Sequence, residues 1–407
     1  MKQAILALEE AVTLLLEQTP APEVFDAVPL LDASGRVVCQ DYFARIDQPP
    51  FDRSPLDGYA ARHEDLGTAG REHPAVLTVT RQIHAGDAPG KPLGPGESVR
   101  VATGAPIPPE ATCVAAQEDT DCGKERVEVY VSLKKHQNCV FRGEDFHAGQ
   151  RLAERGTRLT GAHIGLLAGQ GIGEVRVSPR PKVGLLSVGS ELVPAGKGGT
   201  LLPGRIYDSN SPTLAARVRE LGGEAHVEER VPDEPAQISA ALERLLEGRD
   251  LVITSGGVSV GEHDYMPRVG ELLGGKTLFH GLGYRPGGVT LALLKDSRLI
   301  LCLSGNPFAA FMSLELLAGP VLRKLAGLKE VRLDRLRAVL RGDFSKPSPN
   351  RRFIRGRLRG GEVFVEKEGH ASGSLLSLTR CNCLIDIPPG SPSLSEGTEV
   401  EVIPLQG

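Results

Sequence analysis

The chain has 407 residues, of which 40% are hydrophobic, and a formal net charge of −4 at pH 7. Its length is sufficient for roughly two to four domains with ordinary buried cores. The weakly negative balance excludes a global electrostatic attraction for nucleic acid or membranes. The seven cysteines are few, odd in number and scattered, which is typical of reduced thiols rather than of a disulfide framework.

The N-terminal residues predict a helix rather than a secretory signal. Two acidic residues fall within what would be the apolar region of a signal peptide. Apolar residues at helical spacing instead predict a helix from Gln3 to Gln18, which ends before Pro20. No other segment offers about 18 uninterrupted apolar residues, so we expect no membrane span and a cytoplasmic location.

The segment from about Asp26 to Ser178 predicts β-rich structure. It contains many prolines and glycines, few helical patterns, and short alternating runs at residues 76–80 and 127–131. One short helix is predicted at 160–169, and the Ser-Pro-Arg-Pro sequence at 178–181 predicts a rigid hinge. If the N-terminal helix packs on the later part of the chain, this β-rich segment is an insertion.

Residues 180–328 repeat one pattern: a short apolar run, a turn with Gly or Ser, and a helical stretch. This alternation is typical of a parallel α/β sheet. Strands are predicted at 182–188, 225–231, 251–254 and 299–303. Ligands of open parallel sheets bind beyond the carboxyl ends of the strands, so the turns that follow these strands define one candidate site.

The turn after the strand at 251–254 has the most informative motif. Its candidate anion-binding residues are Ser255, Gly256, Gly257, Ser259 and Gly261. Glycines allow successive N–H groups to point at one oxyanion, and the following helix adds its positive end. Asp264, just after the turn, could hold a cation against that anion. The alternative is an ordinary strand-to-helix loop in which Asp264 caps the helix.

Other turns contain further candidates, and each has a structural alternative. Asp57 lies in a possible tight turn, Thr103 in a proline-stiffened loop, and Asp145 beside Arg142 in a possible salt-bridged turn. Glu191 follows a predicted strand, and Asp233 precedes a predicted helix, so local sequence favours a helix-capping role for each.

Two more turns follow or precede predicted helices. Gly305 and Asn306 lie in the turn at 304–307, where backbone N–H groups can bind an anion. The Asp-Ser-Asn sequence at 208–210 is most simply a helix-capping cluster, although it lies over the sheet.

The remaining chemistry is narrowed by what the sequence lacks. The histidines do not have the spacing of a transition-metal site, and no nucleophile elbow, Walker A loop or GxGxxG fingerprint occurs. The acidic residues beside predicted anion sites therefore indicate Mg²⁺-assisted oxyanion chemistry, since Mg²⁺ favours carboxylate and phosphate oxygens.

The residues from 328 to 407 predict a small C-terminal β-barrel, because short alternating strands return at 353–359 and 363–365. Residues 321–360 contain 13 Lys and Arg residues but only three acidic residues. On a strand, Arg355, Arg357 and Arg359 would share one face. A solvated basic face, a patch that attracts a small anion, and a nucleic-acid site all remain open, although the aromatic residues typical of single-strand binders are missing.

Seven motifs occur together in a fixed order along the chain. They are SPLDGYA at 54–60, TGAPIP at 103–108, RGED at 142–145, SVGSEL at 187–192, DSN at 208–210, ITSGGVSVGEHDY at 253–265 and SGNP at 304–307. Taken together, they resemble the molybdopterin molybdenumtransferase family, the bacterial enzymes similar to the E domain of gephyrin. The resemblance covers essentially the whole chain.

The resemblance implies a homodimer that converts adenylylated molybdopterin, molybdate and Mg²⁺ into molybdenum cofactor and releases AMP. The catalytic positions it implies are Asp57, Thr103, Asp145, Glu191, Asp233 and Asp264. Glu191 and Asp264 are the expected Mg²⁺ ligands, and Ser372 is an expected substrate-binding residue of the C-terminal domain. A molybdopterin adenylyltransferase and molybdoenzymes are the expected protein partners, whereas nucleic acid and membranes are not expected to bind.

The predicted architecture is multidomain α/β plus β, with an inserted β-rich region in a parallel α/β sheet domain and a small C-terminal β-barrel. The predicted parts are an N-terminal helix that packs on the α/β domain (1–25), a linker or β domain (26–47 with 148–178), the β-rich insertion (48–147), the α/β molybdopterin-binding domain (179–327) and the barrel (328–407).

The sequence also departs from the family pattern in its cations. Residues 285–289 read Arg-Pro-Gly-Gly-Val where the family commonly has Lys-Pro-Gly-Lys-Pro, and Gly281 stands where a further lysine is often found. Arg285 is therefore the remaining candidate anion-binding cation of this run. The missing lysines leave open two alternatives, a non-catalytic pterin-binding or assembly protein and a Mg²⁺-dependent nucleotide hydrolase.

Overall fold

A computed structural model describes residues 5–196, 200–258, 265–365 and 371–405. The chain forms two compact units. The main unit comprises Met1–Gln40, Arg155–Ile164 and Gly173–Gly407, and the inserted unit comprises Asp41–Glu154 and Gly165–Ile172. The chain thus leaves the main unit, forms most of a β-rich unit and returns, which confirms the predicted insertion.

The described residues form helices and strands throughout both units. The α-helices are α1 Leu8–Gln18, α2 Gly161–Ala168, α3 Asn210–Glu220, α4 Pro235–Leu246, α5 Met266–Leu273, α6 Pro307–Ser313 and α7 Gly319–Leu325. A π-helical turn, Leu314–Ala318, joins α6 to α7. Short 3₁₀ turns are Leu30–Asp32, His63–Leu66, Gln117–Asp119 and Leu376–Arg380.

The strands are numbered in chain order. Those up to residue 187 are β1 Asp26–Pro29, β2 Tyr42–Phe43, β3 Gly58–Ala61, β4 Ala75–Ile83, β5 Glu97–Val101, β6 Cys113–Ala116, β7 Arg126–Val129, β8 Arg151–Ala153, β9 Glu174–Val177 and β10 Lys182–Ser187. The later strands are β11 Leu192–Val193, β12 Ile206–Tyr207, β13 Glu224–Val227, β14 Leu251–Ser255, β15 Lys276–His280, β16 Tyr284–Arg285, β17 Leu291–Lys295, β18 Arg298–Leu303, β19 Leu336–Arg341, β20 Arg351–Arg359, β21 Glu362–Phe364, β22 Cys383–Ile387 and β23 Glu399–Pro404.

The main unit is built around a six-stranded sheet of order β13-β10-β14-β18-β17-β15. The first four strands are parallel, as the alternating sequence pattern predicts. β17 and β15 are antiparallel additions that were not predicted. The β17–β18 hairpin turns on Asp296 and Ser297, both with positive φ. Such two-residue turns favour Gly or Asn-Gly, so this sequence has no strong hairpin signal.

Both faces of this sheet are covered by helices, which gives three layers. Leu251 and Ile253 of β14 face a cluster that includes residues of α1, α3 and α6, whereas Val252 faces a cluster with residues of α4 and α5. This alternation follows from the period of two along a strand. A strand buried on both faces needs apolar residues throughout, which explains the continuous apolar run of β14.

The N-terminal helix packs on this sheet but is shorter than predicted. Leu8 and Leu15 belong to the same apolar cluster as the sheet residues of the main unit. The helix begins at Leu8 because Glu10 Oε2 accepts a hydrogen bond from the Ala7 N–H (3.0 Å), which satisfies a free donor at that end. Leu6 pairs instead with Leu282 in a short β-bridge.

The C-terminal residues form the predicted barrel. Neighbouring strands of the barrel pair in the order β20-β21-β19-β23-β22. The additional pairing of β20 with β22 closes the ring. Its interior contains Leu340, Val363 and Cys383. Phe353 and Ile403 instead face the apolar cluster of the α/β sheet, so the barrel and the sheet share a core.

The inserted unit has a five-stranded sheet of order β6-β3-β5-β4-β7. Its two faces bury separate apolar clusters, one around Tyr59 and Val127 and the other around Ala60 and Val99. The unit therefore has a core of its own.

The basic run of the C-terminal region does not form one continuous face. Arg335 and Arg351 both pair with the buried carboxylate of Asp386, at 2.6 Å each. Arg355 is itself buried, with its guanidinium 4.0 Å from the ring centroid of Phe308. Acidic residues distant in sequence therefore pair with several arginines of this run.

Two expectations about the whole chain concern its thiols and membranes. None of the seven cysteines, all of which lie in the described ranges, forms a disulfide bond. No helix in the described ranges is both long and apolar enough to cross a membrane.

Candidate functional site

A cavity of about 300 Å³ lies at the carboxyl ends of β10, β14 and β18. These three strands are neighbours in the sheet, so the turns that follow them meet at one edge. The cavity is lined by Gly189 and Glu191 after β10, by Ser255 to Val258 at the end of β14, and by Gly305 and Pro307 after β18. The parallel order of the strands thus brings together turns that are more than 100 residues apart in the chain.

Asn210 connects two of the turns that form this cavity. Its side-chain amide donates hydrogen bonds to Ser255 Oγ and to the carbonyl oxygen of Gly305, both at 2.7 Å. Ser255 Oγ in turn donates to the carbonyl oxygen of Ser304 (3.3 Å). The first residue of α3 therefore holds the end of β14 and the turn after β18 in a fixed relation.

Gly256 is required by its close neighbour rather than as an anion donor. Its φ is +92°, and an added Cβ would lie 2.1 Å from the carbonyl oxygen of Val188. Its N–H donates to the carbonyl oxygen of Leu303 (3.1 Å), so that donor is not available to a ligand. Gly257, with φ of +72°, adds a second left-handed residue to the turn.

Three carboxylates lie around the cavity. Glu191 folds back against Gly189, where an added Cβ would be 2.6 Å from Glu191 Oε2. Asp208 Oδ1 accepts a hydrogen bond from the Ser211 N–H (3.0 Å), and Asp233 Oδ2 accepts one from the Ser190 N–H (2.9 Å). The cavity therefore combines acidic groups with the polar network around Asn210.

The helix-capping roles that local sequence favoured for Asp233 and Glu191 are wrong. Asp233 is not a helix cap, because the N-cap of α4 is Glu234 and Asp233 binds the loop after β10. Glu191 does not cap a helix either, since β11 follows it directly. In each case a tertiary contact determines the role.

Asp208 and Asn210 are site residues that sequence reasoning missed. Ser209 is the N-cap of α3, and the Asp208 carboxylate accepts the first-turn Ser211 N–H, yet Asp208 and Asn210 also line the cavity. The signal that could have identified them was the position of the Asp-Ser-Asn motif over the carboxyl edge of the sheet.

The inserted unit contains a separate pair of predicted site residues. Asp57 Oδ1 accepts hydrogen bonds from the Thr103 N–H (2.7 Å) and hydroxyl (2.9 Å). These bonds hold the pKa of the Asp57 carboxyl below its ordinary value. Asp145 is exposed, and its backbone N–H donates to the carbonyl oxygen of Gln48 (3.0 Å). The structure thus joins Asp57 to Thr103.

Three predicted anion-binding residues of the main unit lie outside the cavity wall. Arg285 is exposed in β16, which pairs with the start of β20. Asn306 is the N-cap of α6, between two residues that do line the cavity. The carbonyl oxygen of Ser372 accepts the Phe308 N–H (2.9 Å), so this part of the C-terminal region contacts the start of α6.

Ser259, Gly261 and Asp264 lie outside the described residues. Their predicted roles in anion and Mg²⁺ binding stay predictions.

The donor set around the cavity fits Mg²⁺ bound together with substrate. No group of three or more His, Cys, Asp or Glu side chains in the described part of the chain could enclose a metal ion. Mg²⁺, however, commonly uses one or two carboxylates plus substrate phosphate oxygens rather than an all-protein cage. Glu191 supplies a carboxylate of this kind at the cavity.

Comparison with protein families assigns three regions that together cover most of the chain. Residues 6–171 match the MoeA N-terminal region (domain I and II), residues 184–324 match the probable molybdopterin binding domain, and residues 337–405 match the MoeA C-terminal region (domain IV). The cavity lies within the second of these regions.

Individual proteins are similar over the same length. The molybdopterin molybdenumtransferases of Staphylococcus aureus and Staphylococcus epidermidis are each 31% identical to this chain. The matched region covers 99% of this chain and 96% of each relative. The crystal structure of the molybdopterin biosynthesis MoeA protein of Pyrococcus horikoshii is 30% identical and has a TM-score of 0.85 over 98% of this chain and 100% of that one. A molybdenum cofactor biosynthesis protein of Pyrococcus furiosus, 24% identical with a TM-score of 0.61 over 98% of this chain and 100% of that one, shares the fold.

Proposed function

The chain belongs to the molybdopterin molybdenumtransferase family, and on that premise we propose that it inserts molybdenum from molybdate into adenylylated molybdopterin, with release of AMP. The family makes it an enzyme of molybdenum cofactor biosynthesis. The observation that supports this specific reaction is the cavity, in which four motifs of the family series meet and contribute acidic residues.

Two groups of cavity residues have different roles in the proposed reaction. The Asn210 network keeps the turns after β14 and β18 at a fixed separation, so that the anionic part of the substrate meets a preformed surface. The carboxylates of Glu191, Asp208 and Asp233 orient groups that carry N–H or O–H donors.

Mg²⁺ is part of this proposal, with Glu191 and Asp264 as its protein ligands. The ion would offset the negative charge of the phosphate and molybdate oxygens. Gly257 lines the cavity after β14 with φ of +72°, a backbone conformation that favours glycine.

The assembly and surroundings of the enzyme belong to the same proposal. We expect a homodimer in the cytoplasm that receives its substrate from a molybdopterin adenylyltransferase and delivers its product to molybdoenzymes. Asp57, Thr103 and Asp145 of the inserted unit are proposed catalytic residues. Sedimentation of the purified chain would test the dimer, since a monomer at micromolar concentration would contradict it.

The decisive experiment measures AMP release from adenylylated molybdopterin with and without molybdate, in the presence of Mg²⁺. We expect release that requires molybdate, together with formation of molybdenum cofactor. AMP release without molybdate, or cleavage of ordinary nucleotides, would indicate a hydrolase instead. Pterin binding without adenylate cleavage would indicate a binding or assembly protein.

A matched pair of variants tests whether the cavity is the site. Asp233 and Asp250 each accept one backbone N–H, from Ser190 (2.9 Å) and from Lys182 (2.7 Å), but only Asp233 lines the cavity. We expect Asp233→Asn to lower the rate of AMP release at least about tenfold and Asp250→Asn to change it less than about twofold. Equal effects of the two variants would place the site elsewhere.

A further inference from the structure

The cavity has a polar base and an apolar, aromatic rim. Ile206 and Tyr207 line it while remaining 54% and 41% exposed. Tyr207 is the only aromatic residue of the cavity wall among the residues that the structure describes. Large apolar side chains left open to water at the mouth of a ligand cavity are typical of surfaces that a ligand covers.

The backbone on both sides of Tyr207 is anchored beside the acidic residues of the site. The parallel pairing of β12 with β11 places Tyr207 opposite Val193. The Ile206 N–H donates to the carbonyl oxygen of Glu191 (3.1 Å), and the Asp208 N–H donates to that of Val193 (2.8 Å). Tyr207 is therefore held in a fixed position relative to two cavity carboxylates.

A substrate for this rim needs a flat ring, because an aromatic face gains most from stacking on another flat ring. The proposed substrate contains two such rings, a pterin and an adenine. An ionised carboxylate only accepts hydrogen bonds. It therefore pairs best with a neutral ring whose edge presents two adjacent donors. The 2-amino and N3–H groups of a pterin provide that edge, whereas the adenine edge alternates donor and acceptor.

We propose that Tyr207 is the residue on which the pterin ring of the substrate stacks, with the 2-amino edge directed toward the carboxylate of the neighbouring Asp208. This inference rests on the proposed function, because it assigns one part of that substrate to one part of the cavity. It makes Tyr207 a substrate-binding residue that determines specificity for the pterin.

The chain contains no tryptophan, so a Tyr207→Trp variant would have a single indole fluorophore at the rim. Phe364→Trp is the matched control, because Phe364 lies on the barrel and is similarly exposed (42%). We expect anaerobic molybdopterin to quench Tyr207→Trp at least about twofold more than Phe364→Trp, and AMP to quench neither. Equal quenching of the two variants, or quenching of Tyr207→Trp by AMP but not by molybdopterin, would overturn the assignment.

Steady-state kinetics provide a second readout of the same residue. Tyr207→Ala should raise the KM for adenylylated molybdopterin about tenfold with a smaller change in kcat, whereas Tyr207→Phe should stay within about twofold of wild type. An unchanged KM in Tyr207→Ala would overturn the inference. The fluorescence test needs no turnover, so pterin-dependent quenching by a chain that releases no AMP would reject the proposed reaction and retain the pterin site.

Discussion

The Asp57 side chain accepts structural hydrogen bonds and also carries a negative charge, and a substitution can remove the charge alone. Asp57 Oδ1 accepts both donors of Thr103. Asparagine presents an oxygen acceptor at the same place, so it can keep these hydrogen bonds while the negative charge is lost. A change from Asp to Asn therefore tests the charge rather than the turn.

We expect Asp57→Asn to lower kcat for AMP release about tenfold to a hundredfold while the melting temperature changes by less than about 2 °C. Asp121→Asn is the matched control, since Asp121 Oδ1 also accepts two backbone N–H groups, from Gly123 and Glu128, at 3.0 Å each. Activity and thermal melting of both variants check the prediction. A melting loss in Asp57→Asn large enough to account for its activity loss would favour a purely structural role.

At Gly256, the lack of space for a side chain requires glycine more strongly than the backbone conformation does. Gly256 and Gly248 both have positive φ, but only Gly256 lies close to a backbone oxygen, that of Val188. Alanine at Gly248 carries only the conformational cost of roughly 1 kcal/mol. Alanine at Gly256 must also displace the end of a neighbouring strand.

We therefore expect Gly256→Ala to lower the free energy of unfolding by about 3 kcal/mol or more, and Gly248→Ala by about 1 kcal/mol. Urea denaturation measures both. If the two variants lost the same stability, the close approach at Val188 would not be what requires glycine.

At the scale of elements, α3 and α6 both begin at the cavity and are joined at two levels. The Asn210 side chain connects their first turns to β14. Further along, Arg217 of α3 pairs with Glu315 of the π-helical turn, through Nε to Oε1 and through Nη2 to Oε2 at 3.3 Å. Burial raises the pKa of Glu315, while Arg217 acts in the opposite direction.

Removal of Glu315 would take away the buried partner of Arg217 and leave the Arg217 charge paired with the more exposed Glu220 (2.8 Å). We expect Glu315→Ala to lower the free energy of unfolding by about 3 kcal/mol, because both Glu315 and Arg217 are at most 5% exposed. Glu271→Ala, which breaks the exposed pair with Arg268 (2.6 Å), should cost less than about 1 kcal/mol. Denaturant titration of both variants decides whether burial determines the cost. The Arg217→Met/Glu315→Leu double variant should recover part of the loss.

At the scale of the whole molecule, the main unit holds its sheet and its barrel together through one core. The rings of Tyr284 and Phe353 meet edge to face with centroids 5.7 Å apart, and both residues are at most 1% exposed. Arg351 of the barrel also pairs with Glu9 of α1 (2.8 Å). The barrel is thus continuous with the α/β domain in packing as well as in sequence.

Loss of this shared packing should affect both parts at once. We expect Phe353→Ala to lower the free energy of unfolding by about 3 kcal/mol and to speed amide hydrogen exchange in β18 and β23 together. Phe364→Ala, at an exposed position of the same barrel, should change neither by much. Faster exchange in β23 alone would show that the barrel unfolds separately from the sheet.

Local sequence patterns were sufficient to predict the order of the elements and the motifs. Apolar runs, helical spacing and glycine-rich turns depend on neighbours only a few residues away, so they predicted the four parallel strands, the insertion and some strands of the barrel. The same locality explains the misses: the β17–β18 hairpin turns on Asp296 and Ser297, which carry no strong turn signal.

The contacts of the site residues, in contrast, depend on the tertiary structure. Asp233 binds Ser190 rather than capping α4, Asn210 connects two strands, and Gly256 is required by the carbonyl oxygen of Val188. The arginines of the basic run likewise find acidic partners such as Asp386, far away in the chain. Each of these contacts joins residues distant in sequence, and local propensity has no information about which distant group will fill the space around a side chain.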